Sequence, residues 1–272
     1  MGKAFFPTAI WRVFRYAIWR LRGGKAPLLK PTPAQVVIRE KMAALRDDHW
    51  PIEIRDFGAA RVDGPPIQRS STVARVARSA SKASWQAERL AWWLERMEAK
   101  HVLELGSCLG TTTAVMAATS SRPLVVSLEG DPGLAMRSRW LIEDLNEDLN
   151  EDLNEGFGAG PGAPTDRPLR VEVVEGEFSK TLPEVVGRHR WDVVFIDGHH
   201  RADALAAQIE LIRPQLASTA CVIIDDIYWS KDMFGGWCSL RDDGFFSAAV
   251  DEFHHGILLK GGTFAMQNKG DA

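Results

Sequence analysis

Three groups of residues have the types and spacing to do chemistry. The first is Glu104-Leu105-Gly106-Ser107-Cys108-Leu109-Gly110. The apolar run before Gly106 predicts a buried strand, and the small residues after it predict a tight loop that opens a helix. Glycines at 106 and 110 let the backbone approach a ligand closely. The spacing is GxxxG, not the GxGxxG that cradles a dinucleotide pyrophosphate. Glu104, just before the loop, suits a ligand ammonium group and would repel a phosphate. A plain structural turn is the alternative for this motif alone. The second group is Glu129, at the end of LVVSLEG and about 20 residues beyond the glycine loop, where an acid can accept hydrogen bonds from both ribose hydroxyls of a nucleoside. Glu104, Gly106, Gly110 and Glu129 together favour S-adenosylmethionine (SAM) over NAD.

The third group is acidic. Asp197 ends VVFIDG, and Asp225-Asp226 ends CVIIDD. Open α/β sheets place ligands at such strand ends. Three carboxylates converging there would repel one another unless protonated or bound to a cation. Hard oxygen ligands suit Mg²⁺, so Asp197, Asp225 and Asp226 are candidate metal ligands. Capping a helix or binding a backbone amide is the alternative for Asp225 or Asp226. His199 and His200 follow Asp197. His200 is the better placed to remove a proton from a substrate hydroxyl near neutral pH; a polar residue at a helix N-terminus is the alternative for either.

The elements that must position these residues alternate. Apolar strands are expected at 101–106, 124–130, 170–176, 191–198 and 220–227. Helices are expected at 85–98, at 111–119, after Pro132 and from about 201 to 217. Strands apolar throughout and separated by helices predict an α/β fold with a doubly wound, mostly parallel sheet covered on both faces. Two more strands, within 246–253 and 256–267, have no helix between them, so at least one should run antiparallel. Residues 1–84 contain Pro27, Pro31, Pro33, Pro51, Pro65 and Pro66 and no strong strand run. They predict a helical N-terminal extension, with short helices at about 9–21, 34–46 and 69–80, ahead of a SAM-binding domain over 85–272. EDLN occurs three times in residues 143–154, before a Gly/Pro-rich segment at 156–164. The repeat places Leu141, Leu145, Leu149 and Leu153 on one helical stripe with an acidic outer face. A neutral expansion of a surface helix is favoured over an acidic docking site, at the sheet end away from the ligand.

Composition bounds the function. The 272 residues are 45% hydrophobic and 25% charged with a formal net charge of -3, so nothing points to nucleic acid. Cys108, Cys221 and Cys238 form no CxxC pair, which implies reduced thiols in a cytoplasmic protein and no structural zinc. No apolar run is long enough for a transmembrane helix. From Met1 to Lys30 the charges are all basic, with Trp11, Phe14, Ile18, Trp19 and Leu21 interspersed. Arg residues interrupt the apolar stretches, which argues against a signal peptide. A basic amphipathic helix that packs on its own domain or on a second subunit, as in a homodimer, is favoured over one lying on a membrane surface.

The segments ELGSCLGTTTAVMA, SLEGDP, GEFSKTLPEV, FIDGHH and VIIDDIYWS, in that order, resemble class I SAM-dependent methyltransferases. The similarity is to a bacterial, small-molecule O-methyltransferase-like group with an IDG-x-H fourth strand and a DDI-x-WS fifth. It extends upstream through IRDFGA (54–59) and covers most of residues 52–267. The resemblance implies a seven-stranded, Rossmann-like sheet with the last strand antiparallel. Carried over by position, Glu104, Gly106 and Ser107 would contact the methionine part of SAM within the loop closed by Gly110, and Thr112 would join them. Glu129 would bind the ribose, and Glu177 and Phe178 would border the adenine. Metal-dependent relatives ligate Mg²⁺ through acids at the places of Asp197, Asp225 and Asp226. Asp197 therefore counts toward the cofactor, the metal and the chemistry at once. The catechol type has a Lys base where this chain has His200, and an Asn where it has Asp226, which weakens a catechol substrate. Trp229, Met233 and Trp237 are either an apolar wall for the acceptor or core.

The implied function is SAM-dependent O-methylation of a hydroxylated small molecule, with Mg²⁺ assistance left open. The alternative is a non-catalytic SAM-binding or scaffold protein acting through its basic N-terminal helix. An NAD-dependent oxidoreductase would want GxGxxG after the first strand. An amino-methylating nucleic-acid enzyme would resemble N/D-PPY where this chain has Asp197-Gly198-His199-His200.

Overall fold

The structure is a computed structural model that describes residues 33–57, 66–80, 82, 84–154 and 168–261. The expected basic helix at 9–21 and the Gly/Pro-rich stretch at 156–164 lie outside the described residues. In chain order the elements are α1 (Pro33–Leu45), β1 (Pro51–Asp56), β2 (Ile67–Thr72), α2 (Val73–Ser79), α3 (Ser84–Met97), β3 (His101–Leu105), α4 (Thr111–Ala117), β4 (Leu124–Glu129), α5 (Pro132–Asn154) and β5 (Arg170–Glu175). Then follow α6 (Phe178–Val185), β6 (Trp191–Ile196), α7 (Ala202–Ile212), β7 (Leu216–Asp225), α8 (Lys231–Asp242), β8 (Ala248–Asp251) and β9 (His255–Lys260).

The main sheet has seven strands in the order β5-β4-β3-β6-β7-β9-β8. Neighbours from β5 to β7 pair in parallel, and β9 runs antiparallel to both β7 and β8. This is the architecture expected from the apolar runs and the resemblance. Alternation along each strand sends side chains to opposite faces. Val102, Val125, Val193, Phe195, Cys221 and Ile257 pack under α1, α3, α4 and α5. Leu103, Leu105, Val126, Val194, Ile224 and Leu258 pack under α6, α7 and α8. Both faces are therefore covered, which is why the central strands are mostly apolar, with Glu104 and Ser127 as a buried, hydrogen-bonded polar pair.

The N-terminal segment departs from expectation. Residues 51–56 and 67–72 form a two-stranded antiparallel sheet, and only Val73–Ser79 of the expected 69–80 helix is helical. Ile52 and Ile54 are buried between exposed neighbours, a two-residue alternation too short to register as a strand run. The partner strand IQRSST is largely exposed, so it carried no apolar signal. Thr72 ends this strand and caps α2, its hydroxyl accepting from the Arg75 amide at 3.3 Å. The segment is joined to the sheet domain. Ala34, Ile38 and Met42 of α1 belong to the same core as the strands, and the Asp131 carboxylate accepts from the Arg55 amide at 2.6 Å.

Leu141, Leu145 and Leu149 are buried on α5, as the leucine stripe requires. The acidic face is partly used: Lys41 of α1 bridges Asp144 at 2.7 Å and Asp148 at 2.9 Å. Asn146 clamps the entry to β5, accepting from the Leu169 amide at 2.7 Å. Among the described residues no helix is long and apolar enough to cross a membrane.

Candidate active site

A cavity of about 430 Å³ opens at the carboxyl ends of β3, β4, β6 and β7, beneath the β1–β2 sheet. That size suits a small-molecule site. Gly106, Cys108, Glu129, Gly130, Glu177 and Phe178 line one half. Lys82, Asp197, His199, His200, Asp226 and Trp229 line the other. Cys108, His199 and Asp226 all have positive φ, at 50°, 51° and 49°. Residues held in that region cost conformational energy and cluster where a site fixes the backbone.

The glycine loop shows why glycine is needed. Gly106 has φ 107°, and a Cβ there would sit 2.6 Å from the Asp197 carbonyl oxygen. Gly110 has φ 80°, and its Cβ would meet Ser138 Oγ at 2.5 Å. Glu129 is buried and receives the Cys108 amide at 2.7 Å and the Asp131 amide at 3.0 Å, one on each oxygen. With the Gly130 amide also approaching it, the carboxylate keeps part of its acceptor capacity for a ligand hydroxyl. Burial pushes its pKa up to about 7. Phe178 stacks edge-on to His199, with centroids 5.2 Å apart. On the other side, Phe57 covers Gly130, where a Cβ would lie 2.8 Å from its ring.

Several expected contacts lie elsewhere. Glu104 does not line the cavity. Strand alternation turns it toward α4, where it is fully buried and accepts from Thr113 Oγ1 at 2.5 Å and Ser127 Oγ at 2.6 Å. Its pKa also rises to about 7 through burial, and its Oε1 has no hydrogen-bond partner. It ties β3 to α4 and β4 beside the loop. Ser107, Gly110 and Thr112 sit behind the lining, with Ser107 and Thr112 buried. Met233 and Trp237 are core residues at 1% exposure each. Trp229 alone of that trio faces the cavity, 5.3 Å from the His200 ring.

The acidic group also differs from expectation. Asp197 and Asp225 do meet, but the Lys82 ammonium lies between them, 2.8 Å from Asp197 Oδ2 and in contact with Asp225 Oδ2. Asp225 is 1% exposed, and its Oδ1 faces His255 Nε2 at 3.2 Å. Burial would raise the Asp225 pKa, but Lys82 and His255 outweigh it and hold the group below the ordinary range. Burial and the adjacent Asp225 raise that of Asp197. Burial opposes the Lys82 charge, yet the two carboxylates outweigh it and raise its pKa. Asp226 lines the cavity but does not complete a ligand set. Among the described residues no three His, Cys, Asp or Glu side chains are grouped to hold a metal ion. The Mg²⁺ assignment to Asp197, Asp225 and Asp226 therefore does not fit this donor set.

Sequence reasoning missed Lys82, Phe57 and the lining role of Cys108. Lys82 is a single basic residue in SASKASW, with no spacing that marks it. Burial and then Glu129 push the Cys108 pKa up to about 12, which favours the thiol over the thiolate.

Residues 103–227 match the model of a methyltransferase domain family. No curated protein matches the chain. Among solved structures, an SAH-bound methyltransferase of Podospora anserina has a TM-score of 0.56 and 14% identity, covering 96% of this chain and 100% of that one. An O-methyltransferase of Bacillus cereus in complex with SAH gives 0.55 and 17%, covering 93% and 98%. An O-methyltransferase of Streptomyces achromogenes involved in tomaymycin synthesis, in complex with SAM, gives 0.53 and 14%, covering 95% and 100%. At these identities the likeness speaks for the fold. The matched span runs from β3 to just past β7 and contains the strand ends that shape the cavity. The chain carries a methyltransferase domain on the class I SAM-dependent methyltransferase fold.

Proposed function

We propose that the protein transfers a methyl group from SAM to a hydroxyl oxygen of a small molecule. The observation that carries this reading is one cavity that joins Glu129 at one end to His200 and Asp197 at the other. SAM supplies an electrophilic methyl group on a sulfonium. Glu129, with its remaining acceptor capacity, would accept from the ribose hydroxyls. Phe178 and Glu177 would border the adenine, and Gly106 would let the backbone approach the methionine part. Ser107 and Thr112 would act from behind the lining.

The other half would bind the acceptor. Burial lowers the His200 pKa, so its imidazole is neutral at pH 7 and free to take the hydroxyl proton. Trp229 offers an apolar face beside it. Alignment of acceptor oxygen and methyl group supplies much of the rate in such a displacement. A cytoplasmic location belongs to the same proposal and is supported by three free cysteines. The test is incubation of the full chain with methyl-labelled SAM and a panel of phenols, sugars and hydroxy acids. Label should appear on oxygen of at least one class; no labelled oxygen across the panel would contradict the reading.

A further inference from the structure

The cation place between the ends of β6 and β7 is filled by the chain itself. Two carboxylates on adjacent parallel strands are the natural grip for a divalent ion, and here Lys82 occupies that grip. Its side chain is only 11% exposed, against 16% for Asp197 and 1% for Asp225. The second oxygen of Asp225 is buried, 3.2 Å from His255 Nε2, so that carboxylate presents no face to solvent. Lys82 arrives from the link between α2 and α3, outside the span that matches the methyltransferase family.

We propose that the Lys82 ammonium is the resident cation of this site: it holds Asp197 and Asp225 together, faces the acceptor's oxygen, and makes a divalent ion unnecessary. An ammonium has three donors. Two serve the carboxylates, and because Lys82 also lines the cavity, the third is available to an acceptor oxygen as negative charge develops on it. A fixed donor in a water-poor site is effective for that purpose because it needs no reorganisation. The acceptor role rests on the function proposed above; the exclusion of a divalent ion does not.

Mn²⁺ titration of the full chain, followed by electron paramagnetic resonance, separates the two. Wild type should show no site tighter than about 1 mM, because an ammonium already neutralises the carboxylate pair. Lys82→Ala should bind Mn²⁺ about tenfold or more tightly than wild type, since its removal leaves two buried acids face to face. Asp225→Asn added to Lys82→Ala should erase that gain. A micromolar, Mg²⁺-displaceable Mn²⁺ site in wild type that Asp225→Asn removes would overturn the proposal. So would a Lys82→Ala protein that stays folded by circular dichroism and gains nothing. If Lys82→Ala does not fold, the wild-type titration decides alone. Loss of SAH binding by wild type would defeat the function reading and leave the Mn²⁺ result standing.

Discussion

The two halves of the cavity are built in different ways. The half assigned to the cofactor comes from consecutive turns after β3, β4 and β5: Gly106, Glu129 and Phe178 each follow or end a strand of the same parallel sheet. The half assigned to the acceptor is assembled from distant pieces. Lys82 comes from the N-terminal segment, Asp197 and His200 from the end of β6, and Asp226 and Trp229 from the end of β7. A site made by local turns is held by backbone geometry, whereas one made across the chain is held by side-chain charge. The first kind tolerates little substitution at its glycines. The second can change its chemistry through a single residue supplied from outside the sheet.

Gly106 is where the halves touch, so it is the place to break the distinction. Gly106→Val would require a β-branched residue at φ 107° and push against the Asp197 carbonyl. Backbone strain and overpacking together should cost about 3 kcal/mol or more. Urea unfolding should show that loss, with SAH binding and the Lys82–Asp197 contact failing together. A variant of wild-type stability would mean that the loop has room the structure does not show.

A smaller effect sharpens the comparison through pH. The pKa values of Glu129 and Glu104 are raised to about 7 by burial, above their unfolded values. Their contribution to stability is therefore fully present below the ordinary carboxylate range and is lost as pH rises toward 7. SAH binding should run the other way, because the ribose needs an ionised Glu129. Affinity should fall by up to about tenfold per pH unit below 7 and level off above it. Glu129→Gln should flatten the profile. A flat wild-type profile between pH 5.5 and 8, measured by calorimetry (a window of about one to two units on either side of that pKa), would remove Glu129 from the site.

Legibility in the sequence follows the same division. The parallel strands could be read because both faces of the sheet are buried, which makes runs such as VVFI and CVII apolar throughout. Glu129 and Gly106 could be placed at the cavity because that placement depends only on position at a strand end. Glu104 was placed at the right strand but on the wrong side, since the motif does not say which way alternation turns it. The β1–β2 sheet was invisible because IQRSST is exposed and polar. Lys82 was invisible because nothing local distinguishes it; its meaning comes from two aspartates more than a hundred residues downstream. For the acids at 197 and 225 the sequence left protonation or a bound cation open, and it gave no sign of the Lys82 ammonium that the structure places between them.

The central claim is that the glycine loop and Glu129 form a SAM site, and calorimetric titration of the full chain with SAH tests it most directly. One site per chain should appear, and Glu129→Ala should weaken it by more than about tenfold, given roughly 1.5–3 kcal/mol for a charged hydrogen-bond partner. Absence of SAH binding by wild type, or equal affinity in Glu129→Ala, would contradict the account.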